Sequence, residues 1–447
     1  MPKKDLFICT SCGYESGKWL GKCPSCEEWN SFEEVATLPV TKNSKKISIS
    51  GTGHQPVLIS QISIENVKRY NTSLSEFDRV LGGGVVPGSL ILLGGEPGVG
   101  KSTLMLQTAE KLSKYGKVFY VSGEESSSQI KMRSSRINVK GEGILFFNET
   151  ELEKIEQEIS NEKPYFLVID SIQTLYMSSI DKAPGSVIQI REATARLLEI
   201  SKSLGVSTFI IGHVTKDGNI AGPKILEHIV DTVLYFEGKI PYLILRAVKN
   251  RFGSTDEIGI FSIEESGIAE VKDPSNLFID EIESEGMSIS CVIEGTRPLL
   301  LEVQALVSNS TFSMPRRVID GVETNKINKI IAVLEKQIGV ILSTKDVFIN
   351  LVGGIKITEP AIDMAICTAL LSSLHGKPVT KKNAFIGEIG LSGEIRRISR
   401  IKERINEASR LGIEKIYIPQ VCVDEFKTKP DNVFLVANIQ ELIKYLF

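Results

Sequence analysis

Apolar residues along this chain gather into short unbroken runs, separated by longer stretches in which they recur at helical spacing. The runs Leu90–Leu93, Val118–Val121, Phe166–Ile169 and Phe209–Ile211 read as strands buried on both faces, and the stretches between them as covering helices. Strands alternating with helices predict an α/β core with a parallel sheet, whose ligands bind beyond the carboxyl ends of the strands. Further on the order changes. Strand-like runs at 286–294 and 299–308 lead to a helix-like 326–339, a strand-like 347–352 and a helix-like 360–373, which predicts a separate α+β domain. Between 36 and 60 periodicity gives way to Thr, Ser, Lys, Gly and Pro, the composition of a linker; Lys42, Lys45 and Lys46 in it read as solvated charges rather than a phosphate contact.

Length and charge narrow the possibilities. At 447 residues the chain exceeds what one core usually supports, so two or three domains are expected. A net charge of -3 gives no global sign of a polyanion-binding surface, so any contact with nucleic acid is expected to be local. No apolar stretch approaches the roughly 20 residues that span a bilayer, and no signal-peptide core follows Met1. A cytoplasmic protein is expected.

The candidate chemistry starts at Gly95-Glu96-Pro97-Gly98-Val99-Gly100-Lys101-Ser102-Thr103, directly after the first apolar run and at the start of a periodic segment. Gly, four residues, then Gly-Lys-Ser is a P-loop. Its glycines let backbone N–H groups curl around the phosphates of ATP, Lys101 adds a charge, and the Ser102 hydroxyl suits a Mg²⁺ ligand at a helix N-terminus. Asp170 ends the run at Phe166, where a Walker B aspartate steadies Mg²⁺. Glu124 and Glu125 end the strand at Val118, a place suited to orienting an attacking water. The competing reading makes them acids that begin the next helix. His213 ends another strand, as a sensor of the γ-phosphate or as a structural histidine.

Four of the seven cysteines lie in the first 26 residues, as Cys9-x-x-Cys12 and Cys23-x-x-Cys26 with ten residues between the pairs. Two such knuckles suit a tetrahedral, structural Zn²⁺ site better than a redox dithiol. So few residues could not bury a core without that staple. Cys291, Cys367 and Cys422 read as small buried hydrophobes.

These motifs, with Lys18-Trp19-Leu20-Gly21-Lys22 ahead of the second knuckle and Lys249-Asn250-Arg251-Phe252-Gly253, resemble the bacterial RadA (Sms) DNA-repair family nearly end to end. The resemblance implies a C4 zinc ribbon at 1–35, a linker at 36–60, a RecA-like ATPase at 61–271 and a Lon-protease-like domain at 272–447. It implies a homohexameric ring on single-stranded DNA that drives branch migration of recombination intermediates beside a RecA-type recombinase. Glu124 is similar in place to the catalytic glutamate of RecA-like ATPases. Lys249 and Arg251 look like cations presented to a neighbour's nucleotide; a surface pair is the plainer reading. The glycine-rich 215–224, with Lys216 and Lys224, is the DNA-contacting candidate, through phosphates rather than bases. Where Lon peptidases carry Pro-Ser-Ala-Gly this chain has Pro360-Ala361-Ile362-Asp363, so the nucleophile is missing although Lys402 matches the family's lysine. A KaiC-type nucleotide switch and, less favoured, an ATP-dependent peptidase are the rival readings.

Overall fold

The computed structural model describes residues 6–9, 15–24, 28–30, 32–35, 68–213, 225–239, 242–255, 257–271, 273–277, 279, 282–311, 314–353 and 356–447. It divides into two units, Met1–Glu270 and Val271–Phe447. Cys12, Cys26, the expected linker and the expected DNA segment at 215–224 lie outside the described residues.

In the first unit β1 (Leu6–Cys9), β2 (Glu15–Ser16) and β3 (Phe32–Val35) form a small sheet in the order β2-β1-β3. Beyond α1 (Ser75–Val80) the chain alternates β4 (Leu90–Gly95), α2 (Lys101–Leu112), β5 (Val118–Ser122), α3 (Ser127–Arg136), β6 (Ile144–Phe147), α4 (Leu152–Glu162), β7 (Phe166–Asp170), α5 (Val187–Leu204) and β8 (Ser207–His213). Then come α6 (Ile225–Ile229), β9 (Thr232–Lys239), β10 (Tyr242–Asn250), β11 (Ile258–Glu264) and β12 (Gly267–Glu270). The main sheet runs β12-β11-β10-β9-β4-β8-β7-β5-β6.

The unbroken apolar runs have a direct cause. Ile91 and Leu93 enter one core cluster and Leu90 and Leu92 the other; Tyr120 and Phe119 divide the same way, as do Val168 and Ile169. Alternate side chains go to opposite faces, and both faces are covered.

The sheet has the parallel core that the sequence pattern predicts, with an antiparallel edge that the pattern does not reveal. β9, β4, β8, β7, β5 and β6 pair in parallel, whereas β10, β11 and β12 extend the edge antiparallel. Lys239 and Tyr242 are register partners, and a connection that short turns the chain back instead of crossing over.

The second unit holds β13 (Met287–Glu294), β14 (Arg297–Asn309), β15 (Arg317–Ile319), α7 (Thr324–Ile338), β16 (Lys345–Leu351), α8 (Asp363–His375), β17 (Asn383–Phe385), β18 (Glu388–Ile389) and β19 (Ile395–Arg396). It closes with α9 (Ile401–Arg410), β20 (Lys415–Pro419), β21 (Val433–Val436) and α10 (Ile439–Leu446). Its seven-stranded sheet has the order β15-β16-β14-β13-β17-β20-β21. Every residue of α8 from Asp363 to Ser372 is buried, so this helix is the core of the unit rather than a cover on it.

Candidate active site

The loop after β4 follows from its glycines. Gly98 and Gly100 take φ of 79° and 104°, a region that side chains with a Cβ resist. At Gly100 a Cβ would also meet Ile268 Cδ1 at 2.9 Å. Gly100 is the N-cap of α2, so the first N–H groups of that helix open into the loop. Lys101, buried, donates from Nζ to the carbonyls of Gly95 and Glu96, both at 2.8 Å. Burial lowers its ammonium to about 8, against the opposing pull of Asp170, Glu124 and Glu96. The charge is held in the cup of the loop, which fits a polyphosphate.

Asp170 ends β7 two strands away and is buried. Burial raises its carboxyl above the usual range, in spite of hydrogen bonds from the hydroxyls of Ser102 and Tyr120. The Tyr120 phenol lies 2.8 Å from Oδ2. A buried carboxylate bonded to the P-loop serine fits a Mg²⁺ site, with Ser102 and Asp170 as its holders.

The two glutamates after β5 part company. Glu125 is tied to Arg133 on α3 at 2.5 Å, and burial raises its carboxyl despite that cation. Glu124 is exposed and faces the loop side, where its Oε1 accepts from the Ser171 hydroxyl and lies 3.2 Å from His213 Nε2. Asn148 Nδ2 donates to the carbonyls of Ser122 and Glu125, each at 2.9 Å, and so fixes the segment between them.

Lys249 and Arg251 occupy one neighbourhood, since the charge of Arg251 is, after burial, the second influence lowering the Lys249 ammonium. Their partners lie in their own chain. Lys249 Nζ donates to the carbonyls of Glu227, His228 and Val230, at 2.6, 3.2 and 2.8 Å, and so closes the end of α6. Arg251 pairs with buried Asp231 at 3.2 Å while its side chain stays 56% exposed. Asp231 also accepts from Lys202 at 2.7 Å and from the Leu90 amide at 3.1 Å.

Cys9 and Cys23 are fully buried in one cluster with Phe32 and are not disulfide-bonded. Two of the four expected zinc ligands thus sit in a shared apolar pocket, which suits thiolates closed around an ion. In the second unit Ala361 is buried, Lys402 is exposed, and Asp363 bonds Lys326 at 3.0 Å, a buried acid paired with a cation. Burial raises the Asp363 carboxyl, with Lys326 opposing.

Reasoning from sequence passed over Tyr120, Ser171, Arg133 and Asp231. Tyr120 carried a signal, because a phenol inside an apolar run must find a partner for its hydroxyl. Ser171, one residue past Asp170, carried none.

Comparison with known proteins adds three family matches. The AAA domain matches residues 60–219, the rubredoxin metal binding domain 7–34, and the Lon protease (S16) C-terminal proteolytic domain 324–445. The "DNA repair protein RadA" of Halalkalibacterium halodurans is 50% identical over 93% of this chain and 93% of its own. That of Bacillus subtilis is 48% identical over 99% and 98%. Among solved structures, the KaiC-like protein PH0186 of Pyrococcus horikoshii OT3 aligns with 46% of this chain and 99% of its own, at 23% identity and a TM-score of 0.40. No helix among the described residues is long and apolar enough to cross a membrane.

Proposed function

The chain belongs to the RadA family of DNA repair proteins, and on that premise we propose that it is a DNA-stimulated ATPase of homologous recombination that drives branch migration from a hexameric ring on single-stranded DNA. The observation that carries this reading is the convergence of Lys101, Ser102, Asp170 and Glu124 at the carboxyl ends of β4, β7 and β5. Lys101 and the amides of 95–103 hold the phosphates. Ser102 and Asp170 would hold Mg²⁺, which when bound would neutralise charge on the phosphoryl oxygens. Glu124 is the general base for water, because Glu125 is engaged by Arg133. Cys9, Cys12, Cys23 and Cys26 would hold Zn²⁺, which when bound would staple the ribbon.

The two cations of the pentapeptide take different roles in this reading. Arg251 is tethered yet exposed and is offered to a neighbouring subunit's nucleotide. Lys249 donates to three carbonyls at the end of α6 and just beyond it, and so anchors the helix that follows 215–224, the stretch assigned to DNA phosphates.

ATP turnover measured with and without single-stranded DNA, across a salt series, tests the proposal. Stimulation by DNA that fades with salt supports it. A rate indifferent to DNA refutes it and favours a KaiC-type switch. Mixing subunits bearing Arg251→Ala with subunits bearing Lys101→Ala tests action in trans: rings that contain both regain a fraction of turnover at junctions with one intact P-loop and one intact Arg251, and no recovery refutes it.

A further inference from the structure

Ser171 and His213 converge on the same oxygen of Glu124. They reach it from different strands, Ser171 from the turn directly after β7 and His213 from the end of β8. Neither the sequence motifs nor the family matches assign Ser171 a role.

We propose that Ser171 and His213 are positioning residues for Glu124, gripping Oε1 so that Oε2 is presented to the attacking water. The inference rests on the reading of Glu124 as general base. An exposed glutamate on a loop has three rotatable side-chain bonds, and an unheld carboxylate samples rotamers in which no oxygen faces the water. Two donors on one oxygen fix the plane of the carboxylate, and its other oxygen remains for the proton.

The surroundings are built to keep both donors in place. Ser171 is fully buried, and its carbonyl accepts from the Thr174 hydroxyl at 2.8 Å and the Thr174 amide at 3.3 Å, which pins the turn. The Gly123 amide donates to the Asp170 carbonyl at 3.0 Å, which ties the loop bearing Glu124 to the end of β7, one residue before Ser171. The position is also crowded, since a Cβ at Gly123 would meet Thr150 Cγ2 at 2.6 Å. His213 Nδ1 is buried with no partner among the described residues. A buried N–H without an acceptor is costlier than a lone pair without a donor, so the ring proton belongs on Nε2, the nitrogen that faces Glu124.

Steady-state ATP turnover by full-length variants tests this, with nucleotide affinity read from a fluorescent ATP analogue. Ser171→Ala removes one oxygen and no carbon. Ser171→Ala and His213→Ala are each expected to lower kcat about tenfold or more, the cost of a misaimed catalytic group, while KM and analogue affinity stay within about twofold. His213→Gln, which keeps an N–H donor, is expected to recover most of the His213→Ala loss, and melting curves confirm folding. A wild-type kcat in Ser171→Ala, or a kcat loss matched by an equal loss of analogue affinity, overturns the proposal. Glu124→Gln separates the two layers. If that variant is inactive while Ser171→Ala is not, the grip is wrong and the base stands; if it turns over normally, the base falls and the grip with it.

Discussion

The arginine on α9 offers a sharp test of what holds the second unit together. Arg404 is fully buried, and each of its three nitrogens donates: Nε to the Ser399 carbonyl at 3.0 Å, Nη1 to the Cys291 carbonyl at 2.8 Å and to Glu359 Oε2 at 3.0 Å, and Nη2 to Glu359 Oε1. Glu359 in turn accepts from the Ile293 amide at 2.5 Å. It directly precedes Pro360-Ala361, so this pair fixes the backbone where that dipeptide begins. Arg404→Ala strands a carboxylate with one backbone donor and leaves two carbonyls unpartnered. Breaking a buried pair by removing one member costs about 3–5 kcal/mol. The unpaired carbonyls add less than their full desolvation penalty, because the space vacated by a guanidinium admits water.

We therefore expect a loss of about 4 kcal/mol. At roughly 2–4 °C per kcal/mol for a domain of this size, that lowers the melting temperature by about 8–16 °C. Differential scanning calorimetry of the full chain reads the shift, and hydrogen exchange by mass spectrometry places it within 271–447. The double variant Glu359→Leu/Arg404→Met removes both charges and keeps apolar volume, and it is expected to recover most of the loss. A shift under about 2 °C in Arg404→Ala, or a double variant no better than the single, would refute the reasoning.

Three further outcomes are expected. Because the Lys101 ammonium is lowered to about 8 and phosphate favours its charged form, the bound state holds more protons than the unbound one above that pH; ATP affinity should fall about tenfold from pH 7 to pH 9, with proton uptake by calorimetry, and a flat profile would count against it. Freshly purified reduced protein should carry one zinc per chain by elemental analysis, lowered by Cys12→Ser or Cys26→Ser, and a metal-free preparation would sink the four-thiolate site. Casein should remain uncut in the presence of ATP, and Ala361→Ser should not create cleavage, because residue 361 is only 1% exposed; ATP-dependent proteolysis by either chain would overturn that.

What could be read from the sequence depended on how directly each pattern maps to physics. The two-faced strands were plain, because burial on both sides forces unbroken apolar runs, and the P-loop was plain because phosphate binding dictates glycines at fixed spacing. The antiparallel edge β10–β12 was not, since its strands follow no helix and resemble any half-buried run. Arg404 shows a signal present but unused. Ile401, Arg404, Ile405 and Ala408 are the buried face of α9, and an arginine at a position in an apolar stripe must be paired. Ser171 acts only through a contact with a residue 47 positions away, which no local pattern encodes.

The pentapeptide at 249–253 joins both kinds of information. Asn250 Nδ2 donates to the Val80 carbonyl at 3.2 Å and its Oδ1 accepts from the Phe252 amide at 2.9 Å, so this side chain sets the turn that follows β10. Gly253 packs against Gly82, where a Cβ would meet Gly82 Cα at 2.8 Å, and Arg69 holds the Phe252 carbonyl at 2.8 Å. Lys249 closes α6 and Arg251 is tied to Asp231, the carboxylate that also bonds the Leu90 amide at the start of β4. All five residues thus do architectural work visible within one chain, and that work links the end of α6 to the strand that carries the P-loop. In the reading proposed above, the guanidinium of Arg251, paired with Asp231 yet 56% exposed, is the part of this segment left to face a second subunit.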